Sequence, residues 1–361
     1  MQPDEHATPS TPTAQPTAQL SRSQKVPAPS PTAASPVGGF RVPFAHLGQG
    51  RSGRVISIIR NQTALVLLFV LVIAGGLLSD VFLTPKNLLN ILWAVSVLGI
   101  IALGQTMLLI TCNFDMSVAY VVGLTGIITV TAQLWGFGLF TSMALGILGG
   151  ILVGVLNGAT VVITGANPFL ITLGSSSLVY AISLTITQSK TLYATIPNFA
   201  VLGRGQLAGV YYSTILFIVL AVILELVLRR TTFGRSLYII GLNETAGRLS
   251  GLAVRRIRLT AFVLCGVTAA LAGLIMTSRT ESTVAAAGVG MDFDSIIASV
   301  LGGTSLFGGQ GGALRTVVGV LVLGVLNNLL VLLNVPIEGQ QIAKGAVFLF
   351  VVWADSILRR T

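Results

Sequence analysis

From residue 63 onward the chain alternates between long apolar runs and short polar breaks. The runs lack both the period-2 alternation of a half-buried strand and the polar stripe of a surface helix. Most are about 17 to 25 residues long, the length of helix that crosses hydrocarbon. The pattern predicts spans at 63–79, 88–111, 118–135, 139–163, 169–187, 211–228, 259–278, 293–307, 314–333 and 340–357. The expected fold is therefore an all-α integral membrane protein of about ten transmembrane helices. A helix satisfies its backbone hydrogen bonds within one segment, which lipid demands.

Composition agrees. Charged residues make up 9% of the chain and hydrophobic residues 53%, whereas a soluble domain carries about 25% charge. Net charge is +10, which in a soluble protein would suggest nucleic acid. Its placement says otherwise. Sixteen of the 21 Lys and Arg residues fall in the N-terminal region, the loop 229–258, the turn at Arg315, and Arg359 with Arg360. The ten-span reading puts all of these on one side, leaving Lys86, Lys190, Arg204, Arg279 and Lys344 on the other. The positive-inside rule makes that first side the cytoplasm, with both termini in it, and assigns the surroundings to lipid and not to nucleic acid. Residues 1–40 are rich in Pro, Thr, Ala and Ser, without apolar periodicity or a signal-peptide pattern. They read as a disordered cytoplasmic tail. Residues 41–62 form a basic lead-in, 63–357 the transmembrane domain, and 358–361 a cytoplasmic C-terminus.

An internal repeat adds organisation. Gly154-Val155-Leu156-Asn157 recurs as Gly324-Val325-Leu326-Asn327. Upstream of each lies an acidic break and a short span: Asn113-Phe114-Asp115-Met116-Ser117 in one half and Asp292-Phe293-Asp294-Ser295 in the other. Five spans separate equivalent positions, so the halves are expected to have opposite orientation. Inverted repeats with interrupted helices mark transporters, and the interruptions line the path.

Candidate chemistry is sparse. His6 and His46 both precede the spans, so the membrane part has no histidine for a proton relay or a metal. Cys112 and Cys265 fall in apolar segments, read as buried, without disulfide or metal spacing. No membrane enzyme signature is present, and the glycines from Gly302 to Gly312 lack the lysine of a phosphate-binding loop. No cofactor is expected in this chain. Asp115 is costly in lipid and must face protein or water. Asp115 or Ser117 caps span 118–135, or Asn113, Asp115 and Ser117 line a path; the two readings are compatible. Asp292 and Asp294 stand before span 293–307 in the same way. Glu225 and Arg229 are spaced for an i,i+4 ion pair. Lys344 is placed to snorkel to the outer interface, and Arg279 and Glu281 read as solvated or partner-facing loop residues.

The longest hydrophilic connection is 229–258. Asn243 is placed to cap a short helix through Glu244, Ala246, Arg248 and Leu249, stopped near Gly251. With Leu249 and Leu252 on one side, such a helix docks into a partner's groove or lies on anionic lipid.

At this loop the chain resembles the inner-membrane permease subunits of bacterial ABC importers for monosaccharides, the ribose-type branch. The matching stretches are Thr232-Phe233-Gly234-Arg235, Gly241-Leu242-Asn243-Glu244 with Arg248-Leu249-Ser250-Gly251, Asn167 to Gly174, Val300 to Gly309, and Gly324 to Asn328. The resemblance runs from about residue 63 to 357. It implies a homodimeric permease in the bacterial inner membrane. A cytoplasmic ATPase with tandem nucleotide-binding modules, using ATP and Mg²⁺, would drive it, and an extracytoplasmic sugar-binding protein would feed it. It makes Gly241, Asn243, Glu244, Ala246, Arg248, Leu249, Ser250 and Gly251 the coupling loop. Two departures stand out. Cys112 to Ser117 replaces a glycine-rich approach to the acidic break, and Thr245 and Gly247 stand where Glu and Ala are usual. The rival readings are an ion-coupled secondary transporter acting alone and a branched-chain amino-acid ABC permease.

Overall fold

The computed structural model describes residues 63–360, so the predicted tail 1–40 and lead-in 41–62 lie outside the described residues. The helices are α1 (Thr63–Leu78), α2 (Pro85–Ile110), α3 (Val118–Leu134), α4 (Leu139–Thr164), α5 (Pro168–Thr187), α6 (Val201–Arg204) and α7 (Tyr212–Arg230). They continue as α8 (Thr232–Leu242), α9 (Glu244–Leu249), α10 (Val254–Thr280), α11 (Met291–Leu301), α12 (Ala313–Leu332) and α13 (Ile337–Arg360). Local chemistry sets several ends. Pro85 and Pro168 open α2 and α5, where the missing N–H costs nothing, behind Thr84 and Asn167 as caps. Among the described residues, strands are confined to four two-residue pieces, β1 (Leu192–Tyr193) paired with β4 (Ser282–Thr283) and β2 (Gln206–Leu207) paired with β3 (Val210–Tyr211).

Among the described residues, six helices are long and apolar enough to cross a membrane: α2, α4, α5, α7, α10 and α12. Ala64–Leu78 and Val118–Leu134 are apolar but shorter. The predicted span 293–307 is corrected: α11 has 11 residues, about 16 Å of helix, and ends at Leu301. Gly303, Gly308 and Gly309 then take left-handed φ of 95°, 78° and 70°, which breaks the helix where an apolar count alone continues it. The ten-span count therefore does not carry over as ten continuous helices. α13 runs as far as Arg360.

The centre is α2 and α10, with 78% and 56% of their apolar windows buried, against 22% for α5. Packing partners follow the sequence repeat. α10 packs on α3 and α4, while α2 packs on α11 and α12, and α3·α4 contact corresponds to α11·α12 contact. The α4–α10 crossing is close because Gly150, Gly154 and Gly158 face Gly266 and Phe262. α2 and α12 are joined by Asn87 and Asn328, whose amides exchange hydrogen bonds of 3.0 and 2.9 Å. The repeated Asn327 is thus passed over for its neighbour.

Three further readings are corrected. Arg279 is no loop residue: it lies in the last turn of α10, 4.3 Å over the Trp93 ring, and donates to Trp93 O, Ser96 Oγ and Ser213 Oγ. Stacking and neutral oxygens take the place of a carboxylate, since Glu281 pairs with Arg204 at 3.2 Å. Lys344 does not snorkel; its Nζ is 3.0 Å from Asp294 Oδ2, tying α13 to α11. Cys112 is exposed, not buried, whereas Cys265 is buried as expected.

Candidate functional site

The first acidic break folds into a closed polar cluster. Ser117 is the N-cap residue of α3 but makes no side-chain cap; Asp115 Oδ1 instead accepts from Ser117 N and Ser117 Oγ at 2.8 and 2.6 Å. Asn157 of α4 donates to both Asp115 oxygens (3.3 and 3.2 Å) and to Ser117 Oγ (2.8 Å). The backbone is held as well. Gln105 Nε2 donates to Asp115 O, Asp115 N donates to Gln105 Oε1, and Met116 N donates to Thr172 Oγ1. Asn113 turns back to Thr111 O and Oγ1. All of these polar side chains are buried, and no basic side chain pairs with Asp115 among the described residues. Sequence reasoning missed Gln105 and Thr172 altogether and saw Asn157 only as part of a repeat. Polar residues within apolar runs of α2, α4 and α5 are the signal that points to them.

The second break is built differently. Asp292 and Asp294 lie in the first turn of α11, where negative charge complements the helix N-terminus, and Gly290 is the N-cap residue. The structure does not bring them to Asp115. Behind them a hydroxyl cluster joins α2, α11 and α12, with Thr106 Oγ1 at 3.1 Å from Ser299 Oγ and 2.6 Å from Thr316 Oγ1.

The loop after α7 folds as expected. Thr231 Oγ1 accepts from Gly234 N to start α8, and Asn243 Oδ1 accepts from Ala246 N (3.0 Å) to start α9. At the other end Leu252 N reaches Gly247 O and Gly251 N reaches Arg248 O, with Gly251 at φ 80°. That pair of bonds is a Schellman closure. Glu244 pairs with Arg248, one turn on, and with Arg258 of α10 at 2.5 Å, so the helix is pinned at its N-terminus. Burial pushes the Glu244 carboxyl up, but the hydrogen bonds and charge of Arg248 and Arg258 outweigh it and hold the group below its ordinary value. Thr245, Ala246, Arg248, Leu249 and Ser250 all face outward, Leu249 at 86% exposure. A capped, pinned helix that leaves an apolar tip free is suited to a groove.

Gly247 weakens this helix without a packing reason. A Cβ there would meet Ile239, Ile240 and Leu252 at 3.7 Å, an ordinary contact. Gly247→Ala is expected to stabilise α9 by about 1 kcal/mol, slowing hydrogen exchange at residues 244–251 about fivefold. Unchanged exchange would show that the pinning by Glu244, not propensity, sets its stability.

Glu225 makes the expected i,i+4 pair with Arg229 at 2.5 Å. Its other oxygen accepts from Leu314 N at 3.1 Å, so it also caps α12.

Residues 87–352 match a family described as the permease component of branched-chain amino acid transport systems. The chain is 37% identical over 290 residues to the ribose import permease protein of Bacillus subtilis, covering 80% of this chain and 90% of that one. It is 31% identical over 299 residues to the D-allose transport system permease protein of Escherichia coli, covering 82% and 92%. It is 31% identical over 318 residues to the L-arabinose ABC transporter permease protein of Azospirillum brasilense, covering 88% and 94%. No solved structure matches the chain.

Proposed function

The chain belongs to the permease-component family of binding-protein-dependent transport systems, and on that premise we propose that it forms the membrane path of an ABC importer for a monosaccharide. The observation that carries the reading is that sugar permeases match four-fifths or more of the chain. The family description names branched-chain amino acids, whereas the relatives matched over nine-tenths or more of their own length are permeases for ribose, allose and arabinose. Sugar is therefore the reading we adopt.

In this proposal two copies of the chain enclose the path in a bacterial inner membrane, with both termini in the cytoplasm. A cytoplasmic ATPase with tandem nucleotide-binding modules receives Leu249 and its neighbours in a groove, and consumes ATP and Mg²⁺ outside this chain. An extracytoplasmic binding protein selects the sugar, so the path needs only transient hydrogen bonds to hydroxyls. Asn113, Asp115 and Ser117 bound the path, with Asp292 and Asp294 at the start of its second half. In this reading Asn113, Asp115 and Ser117 hold the broken backbone in the closed packing, and sugar meets these three only when α2, α3 and α4 part.

The test is a mild-detergent purification of the tagged chain from its host, together with uptake of labelled D-ribose in competition with D-allose, L-arabinose and leucine. An ATPase is expected to co-purify, to be depleted by Glu244→Ala with Arg248→Ala, and uptake to be blocked by a sugar and not by leucine. Transport that persists without any associated ATPase would replace this reading by ion-coupled secondary transport. Competition by leucine alone would replace it by amino-acid import.

A further inference from the structure

The coupling loop does not end at α9; through α8 it touches the backbone of both broken helices at one point. Gly241, in the last turn of α8, is buried between Ile110, which ends α2 at the first break, and Gly309 of the left-handed glycine turn that breaks the chain between α11 and α12. A Cβ at Gly241 would lie 1.8 Å from Ile110 O and 2.6 Å from Gly309 N, so these are backbone contacts with no side chain to yield. The two breaks are themselves joined there. Gly309 N donates to Ile110 O at 2.9 Å, and Cys112 Sγ donates to Phe307 O at 2.8 Å, with Gly241 O at 3.4 Å. Cys112 takes φ 58°, the left-handed turn that a glycine would make without strain, so this departure from the glycine-rich pattern keeps the bend and adds a thiol across the junction. One turn before Gly241, Tyr238 donates its hydroxyl to Gly311 O at 3.0 Å.

Resting on the importer reading, we propose that α8 is a lever whose Gly241 and Tyr238 transmit displacement of the coupling helix to both helix breaks together. α9 follows α8 after a single extended residue, Asn243, which caps both helices, and Glu244 holds α9 to α10. A shift of α9 imposed by the ATPase therefore has to move Gly241 against Ile110 and Gly309. Close-packed backbone of this kind rearranges between discrete states in preference to deforming gradually. Gly241 and Tyr238 are positioning residues; nothing in the geometry brings them to substrate.

Cys112 is a native reporter of the junction, because its thiol is exposed yet bound to Phe307 O. In the purified permease–ATPase complex, maleimide labelling of Cys112, read by peptide mass spectrometry, is expected to change about threefold or more between nucleotide-free and ATP–vanadate conditions. Tyr238→Phe loses one hydroxyl and is expected to keep the ATPase bound while shrinking that response by about threefold. Gly241→Ala is expected to abolish the response; if it fails to fold, Tyr238→Phe still decides. Labelling indifferent to nucleotide in a complex that hydrolyses ATP, or a native response in Tyr238→Phe, overturns the lever while leaving the importer standing. Absence of a co-purifying ATPase overturns the importer instead.

Discussion

A Gly266→Leu variant is expected to yield almost no folded permease, while Gly174→Leu yields native amounts. Gly266 stands where α10 crosses α4, and a Cβ there would lie 2.4 Å from Gly150 O and 3.2 Å from Gly154 Cα. Neither contact can be relieved by a rotamer change, since both atoms are backbone. Overpacking of a core costs about 1–3 kcal/mol when side chains can adjust, and the helices here must separate, so a cost of about 3 kcal/mol or more is expected. That approaches the whole stability of many proteins. Gly174 is the control: it is a glycine inside α5, with nothing within 4 Å of an added Cβ. The measurement is fluorescence-detected gel filtration in mild detergent, followed by a melting curve. Equal recovery of both variants would mean that the α4–α10 crossing is loose.

The second large effect is expected at Asn157→Leu. This amide is shared by both Asp115 oxygens and Ser117 Oγ, all buried. Interhelical hydrogen bonds in membranes average only about 0.6 kcal/mol, because the separated helices find other partners. A carboxylate that loses donors in a closed cluster is a heavier case, and about 2 kcal/mol is expected. Asp115→Asn is expected to cost less, since an amide oxygen can still accept from Ser117. The double variant should recover part of the loss, a coupling of about 1–2 kcal/mol in a melting-based cycle. Additive effects would separate Asp115 from Asn157 and favour direct contact of Asp115 with the path.

These two positions differ in how far they were legible. Gly154 and Asn157 belong to a repeat that is visible along the chain, and Gly266 does not, yet the α4–α10 crossing needs Gly154 and Gly266 alike. A repeat marks which residues are equivalent, not which surface each one meets. The short helix α9 is the opposite case. Asn243, Glu244, Arg248 and Gly251 specify cap, first-turn acid, i,i+4 pair and stop within nine residues, and α9 folds accordingly. Span 293–307 failed for a definable reason: apolar content continues past Leu301, but left-handed Gly303, Gly308 and Gly309 do not permit helix there. Arg279 failed because charge was read as exposure, whereas Trp93 and three oxygens stand ready to take it inside.

By itself the sequence determined the all-α membrane class, most helix positions, and the form of α9. Each of these depends on residues within a few turns of one another and on the polarity of the solvent they meet. The tertiary structure alone decided that Asp115 answers to Asn157 and Gln105, that Lys344 holds Asp294, and that Gly241 sits on Ile110 and Gly309. Those pairings join residues up to 131 positions apart in the Gly241 contacts, at distances where an ångström separates contact from collision. Such fits depend on how whole helices pack, and no local pattern along the chain encodes them.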